Sequence, residues 1–211
     1  MTVSPFQPRE PAAAPRPPRF DLFFSIHKAI RFGLCQLLLD TGTTAFDDAA
    51  EVGALVGRIR AQLALCERHA EMEDRFIRPA LAERTRGALE VFDTGHAHQR
   101  RIVEELAALL SALTEAVPAE RSRVGRSLYL HLGTFLAESL THMAEEERVI
   151  QPLLERLFTD DELRAIHAAL IAACTPEERL LSASWMLRAS SQPERIQLLG
   201  SMLGAPKGGT T

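Results

Sequence analysis

Two stretches of the chain, His69–Leu81 (HAEMEDRFIRPAL) and His142–Leu154 (HMAEEERVIQPLL), align without a gap. They share His, Glu, Arg, Ile, Pro and Leu, and Asp74 stands opposite Glu147, which gives the frame H-x-x-x-E-[DE]-R-[FV]-I-x-P-x-L. Each copy is preceded by another histidine: His27 lies 42 residues before His69, and His96 lies 46 before His142. The unit, a histidine and then His-x3-Glu, is therefore used twice. Residues i and i+4 of a helix stack on one face about 6 Å apart along the axis. On a helix, His69 with Glu73 and His142 with Glu146 would each offer an imidazole and a carboxylate to one small volume.

The surroundings are helical in pattern. From Phe20 onward apolar residues recur with a 3.6-residue period, and no stretch alternates long enough to suggest a sheet. The pattern predicts helices over about 21–39, 47–83, 89–116 and 119–157, with Asp21 as a cap, Asp40-Thr-Gly as a stop, and Pro79 and Pro152 kinking or ending the second and fourth. Short connections favour antiparallel neighbours, so the fold class is all-α, an up-down-up-down four-helix bundle with additional C-terminal helices. Those open at Thr159-Asp-Asp-Glu, at the capping box Thr175-Pro-Glu-Glu and at Gln192-Pro-Glu. The chain thus divides into a Pro-rich leader over 1–19, a bundle over 20–158, and a helical extension with a loose tail over 159–211.

Helical phase at about 100° per residue tests whether the histidines face the core. Phe135, Val149 and Leu153 fall within about 20° of His142, Phe76 within about 20° of His69, and each glutamate about 40° from its own histidine. Phe23, Ile30 and Leu34 share the face of His27, while Phe92, Val103, Leu106, Leu110 and Leu113 make a stripe with His96 at its edge. Four imidazoles and two carboxylates thus point into the apolar interior. Unpartnered, such burial would cost several kcal/mol per ion. A pair of divalent cations bridged by the glutamates compensates it, and imidazole with carboxylate suits iron or manganese. The expected metal-binding residues are His27, His69, Glu73, His96, His142 and Glu146.

Composition excludes several other classes. The 211 residues carry 28 acids and 24 bases, net −4, which leaves no basic surplus for nucleic acid or an anionic membrane. No apolar run is long enough to span a bilayer, and the first residues lack a secretory pattern, so the expectation is a cytoplasmic protein. Three cysteines without metal spacing (Cys35, Cys66, Cys174) support neither a disulfide framework nor a thiolate site.

At these residues the chain resembles the hemerythrin-like, HHE cation-binding family over roughly 21–158. That family's frame is His on the first helix, His-x3-Glu on the second, His on the third and His-x3-Glu on the fourth. Here it is filled by His27, His69/Glu73, His96 and His142/Glu146. The resemblance implies a non-haem di-iron centre within the bundle that binds dioxygen or nitric oxide, or senses oxygen or iron state. Two positions depart from the oxygen carriers. Arg100 stands where they have a second third-helix histidine. Glu147 stands where their last acid is an aspartate. Six ligands instead of seven imply a more open coordination, for which Glu138 and, less directly, His131 are the nearest substitutes.

Simpler readings stand beside this one for individual residues. His98 is expected at the surface, His131 buried or at the rim of the core and His167 as structural or exposed. Asp74, Glu145 and Glu147 read as solvated charges, and Cys66 as an inert buried thiol. The C-terminal helices either pack on the bundle or offer a surface to a protein partner. Two other functions remain: a di-iron oxidase or peroxidase, and a helical interaction module without metal. Against the first, the Glu-x-x-His of ferritin-like enzymes is absent, since no Glu stands three residues before any histidine.

Overall fold

The computed structural model describes residues 19–85 and 90–202. The leader up to residue 18 and the tail from 203 lie outside them. Among the described residues the chain is helical: α1 (Phe24–Thr43), α2 (Ala49–Met72), α3 (Arg78–Arg84), α4 (Glu90–Glu115), α5 (Pro118–Glu145), α6 (Gln151–Leu157), α7 (Asp160–Ala172), α8 (Pro176–Ala189) and α9 (Gln192–Met202). Helices α1, α2, α4 and α5 pack in that order round a ring that closes from α5 back to α1. No helix there is long and apolar enough to cross a membrane.

Local chemistry explains the boundaries. Asp21 Oδ1 accepts the backbone N–H groups of Phe23 and Phe24 and so caps α1 from just ahead of it. At the other end α1 overruns the expected stop and continues to Thr43. Gly42 serves close approach there: a Cβ would sit 3.2 Å from the ring of Tyr129. Thr159 and Thr175 both form capping boxes, with Glu162 and Glu178 returning a carboxylate to the cap.

The prolines of the repeat do something other than end their helices. A π-turn, Glu73–Ile77, joins α2 to α3, and a second, Glu146–Ile150, joins α5 to α6. In each, an N–H reaches back five residues, Arg78 to the Glu73 carbonyl and Gln151 to that of Glu146. A proline donates no N–H and crowds the carbonyl four residues earlier, and the wider turn ahead of Pro79 and Pro152 makes room for it. The extra residue rolls everything beyond it by about 100°. Val149 is therefore exposed, contrary to the straight-helix phase, and Ile150 takes the inward position.

The roll divides the core in two. The larger apolar cluster fills the ring with residues such as Ile30, Leu34, Leu106 and Phe135. The smaller lies beyond the π-turns and unites Phe23 with Ile77, Leu81, Ile150 and Leu154, capped by Phe158 and Leu163. Ile77 and Leu81 from one copy of the repeat meet Ile150 and Leu154 from the other, all at most 1% exposed. Each such side chain stabilises the fold by about 1.5–3 kcal/mol. The C-terminal extension packs on the bundle, with α8 along α1 and α7 against the first π-turn.

Candidate metal centre

The six polar residues of the repeated unit meet between these two apolar clusters. His27, Glu73, His96 and Glu146 are at most 1% exposed, His142 is buried, and the side chain of His69 is 14% exposed. They form two donor groups, His27–His69–Glu73–Glu146 and His96–His142–Glu73–Glu146, each with its donor atoms within 4.8 Å of one another. Both glutamates belong to both groups.

Distances show how the carboxylates are shared. Glu73 turns Oε1 to His69 Nε2 (2.9 Å) and His27 Nε2 (3.9 Å), and Oε2 to His96 Nε2 (3.2 Å). Glu146 does the converse, with Oε2 3.3 Å from His27 Nε2 and Oε1 3.2 Å from His142 Nε2. Each carboxylate therefore places one oxygen with each pair of histidines. Within the first pair, His27 Nε2 and His69 Nε2 lie 3.0 Å apart. Two nitrogens each about 2.1 Å from one ion and at right angles to each other are about 3 Å apart.

The donors converge on common points more than on one another. Glu73 Oε1, both oxygens of Glu146 and both ring nitrogens of His142 are buried without a hydrogen-bond partner. Orphaned polar atoms of this kind are rare and costly unless an ion or water satisfies them. The donor set, imidazole nitrogen with carboxylate oxygen and no thiolate, fits a pair of first-row cations. Cys66 borders the site, but burial pushes its thiol up to about 12, which keeps it neutral.

A second layer holds two of the imidazoles. His27 Nδ1 lies 2.9 Å from Glu147 Oε1, and His96 Nδ1 lies 3.0 Å from Asp74 Oδ1. Glu147 also receives two bonds from Arg31, at 2.6 and 2.9 Å. Such carboxylates fix the ring and leave Nε2 directed at the site. Burial pulls the His27 pKa down, but contacts with Glu146, Glu147 and Glu73 outweigh it and raise it to about 10. His96 is likewise raised, by Glu73 and Asp74 against burial. The hydrogen bond with His27 and the pair with Arg31 hold Glu147 down at about 2. Asp74 and Glu147 are thus not merely solvated charges. Each follows a site glutamate by one residue and reaches the histidine of the opposite half, a role that phase on its own helix does not show. The signal was the [DE] column that both copies of the repeat share.

The other expectations divide. His98 is exposed and pairs with Glu138 (2.7 Å), and Glu138 belongs to neither donor group. His131 is exposed, and its Nδ1 lies 2.9 Å from the Ser127 carbonyl, which places it outside the site and not at the rim of the core. Arg100 lies at the surface, its side chain 60% exposed, 3.8 Å from Asp74. His167 is exposed and meets Phe20 edge-on. Sequence reasoning also missed Gly95, where a Cβ would come within 2.5 Å of His142 Nδ1. We expect Gly95→Ala to push that imidazole aside and weaken cation binding by the His96–His142 group about tenfold, the scale of losing one supporting contact. A competitive chelator titration reads it as one weakened step of two.

Residues 20–154 match the family described as the hemerythrin HHE cation-binding domain. The chain belongs to that family. Among curated proteins, this HHE chain is 26% identical to F-box/LRR-repeat protein 5 of Xenopus tropicalis over 159 residues, 75% of the chain and 23% of that protein. The same protein of Mus musculus is 26% identical over 161 residues, 75% of the chain and 22% of its own length. Zinc finger protein BRUTUS-like of Arabidopsis thaliana is 27% identical over 186 residues, 83% of the chain and 14% of that protein. The HHE chain spans about a quarter or less of the length of these relatives.

Proposed function

We propose that the chain is a di-iron protein of the hemerythrin type that binds dioxygen or nitric oxide, or reports oxygen or iron state through that binding. The observation that carries this reading is the pair of glutamates, each with one oxygen in either histidine pair. His27 and His69 would hold one cation, His96 and His142 the other, and Glu73 and Glu146 both. Manganese fits the same donors. Bound there, reduced iron supplies electrons and open coordination positions to a small ligand.

The chain's own residues prepare the site in three ways. Glu147 and Asp74 keep the Nδ1 protons of His27 and His96, so that a cation displaces protons from the Nε2 side alone. The cluster of Ile77, Leu81, Ile150 and Leu154 closes one end of the site to water. On the other side a void of about 20 Å³ is bounded by His69, Glu73 and His142, with apolar walls from Ile30, Cys66 and Met143. It has room for one water-sized or diatomic species.

Anaerobic reconstitution with ferrous iron tests the reading. Elemental analysis should find about two irons per chain, one for each donor group. Exposure to dioxygen should then raise a visible charge-transfer band. A chain that takes up neither iron nor manganese under these conditions overturns the proposal.

A further inference from the structure

Ser139 stands one turn before His142 on α5 and lines the same void as His69, Glu73 and His142. It is 2% exposed, and its Oγ is buried without any hydrogen-bond partner. That is unusual for a hydroxyl inside a helix, which can always turn back to the carbonyl four residues earlier. Several helical hydroxyls of this chain do so: Thr41 bonds the Leu37 carbonyl at 2.7 Å, Thr114 that of Leu110 at 2.8 Å, and Thr141, two residues beyond Ser139, that of Ala137 at 3.1 Å. Ser139 leaves its local acceptor unused and keeps a donor at the void. Gln99 also lines the void but is half-buried, so water can serve it.

From this geometry we infer that Ser139 is a ligand-contacting residue, whose hydroxyl donates a hydrogen bond to the diatomic hydrogen-bond acceptor held in the void. The inference rests on the di-iron reading of the site. A hydroxyl in this position favours ligands that gain negative charge on binding, because a hydrogen bond to a charged acceptor is the stronger kind. The bond also opposes departure of such a ligand, since Ser139 Oγ would again be left unpartnered.

The test uses the full chain loaded with ferrous iron, and nitric oxide as the probe. Ser139→Ala removes one oxygen from a helical position that alanine suits, and Thr141→Ala is the control that removes a hydroxyl already satisfied by backbone. Both variants should take up as much iron as the parent. Ser139→Ala should bind nitric oxide about ten- to a hundredfold more weakly, the size of one hydrogen bond to a charged group. The N–O stretch of the parent and of Thr141→Ala should shift between H2O and D2O, and that of Ser139→Ala should not. Equal affinity and an unchanged isotope response in Ser139→Ala overturn this inference and leave the di-iron reading standing. Absence of iron from the parent overturns both.

Discussion

Glu73→Ala should weaken both cations together, whereas His142→Ala should weaken one. The asymmetry follows from how the oxygens are placed. Glu73 Oε1 belongs with His27 and His69, and Oε2 with His96, so no cation in either group is independent of this side chain. Loss of an outer hydrogen-bond partner typically costs 10–100-fold in metal affinity, and loss of a charged donor should exceed that, at least about 100-fold at each position. At free iron above the parent's Kd and below the weakened one, occupancy should then fall from about two per chain to near none in Glu73→Ala, and to about one in His142→Ala. Stability should follow occupancy. A cation at a thousandfold excess over its Kd stabilises the folded state by about 4 kcal/mol. For a chain of this size that is on the order of 8–16 °C in Tm. Calorimetry with and without ferrous or manganous ion should show that rise in the parent and its disappearance in Glu73→Ala. Far-UV circular dichroism should show the helices intact in both. A single tightly held ion in Glu73→Ala would mean that the carboxylate is not shared.

Which parts of this site are legible in the chain, and which are not, has a physical cause. His27, His69, His96 and His142 face inward as their helical phase requires, because α1, α2, α4 and α5 are regular α-helix through those positions. Glu73 and Glu146 also follow, each being the first residue of its π-turn and so still in register with the helix before it. Beyond them regular phase fails. Val149 projects outward and Ile150 inward, because the proline two residues after each isoleucine goes with a turn that holds one residue more. Asp74 and Glu147 escape a different way. Their partners, His96 and His27, lie on other helices, and periodicity describes one helix at a time. Gly95 and Ser139 escape because their importance lies in space: one admits the His142 ring, the other keeps a hydroxyl unspent. The repeat carried more than its helical phase did. Its acid column marked Asp74 and Glu147, and its Ile-x-Pro-x-Leu ending marked the four side chains that seal the site.

The two halves of that repeat are not equally supported, and the difference should be measurable. His27 is held by Glu147, which is itself clamped by two bonds from Arg31, at 2.6 and 2.9 Å. His96 is held by Asp74, whose arginine, Arg100, is 3.8 Å away and 60% exposed. A carboxylate fixed at both oxygens fixes its imidazole better than one beside a solvated guanidinium, since exposed pairs of that kind contribute about 0–1 kcal/mol. The cation between His27 and His69 should therefore bind first and leave last. Glu147→Ala should weaken it by about 10–100-fold and so bring the two binding steps together or invert them. Asp74→Ala acts on the step that is already weaker and should widen the gap, by less than Glu147→Ala narrows it. Arg31→Ala should reproduce part of the Glu147→Ala effect, because among the described residues the bonds of Arg31 go to Glu147. Stepwise titration against a chromophoric chelator resolves the order. Equal losses from Glu147→Ala and Asp74→Ala would show that the halves are equivalent, and that the arginine clamp on Glu147 contributes to the fold and not to the order in which the site fills.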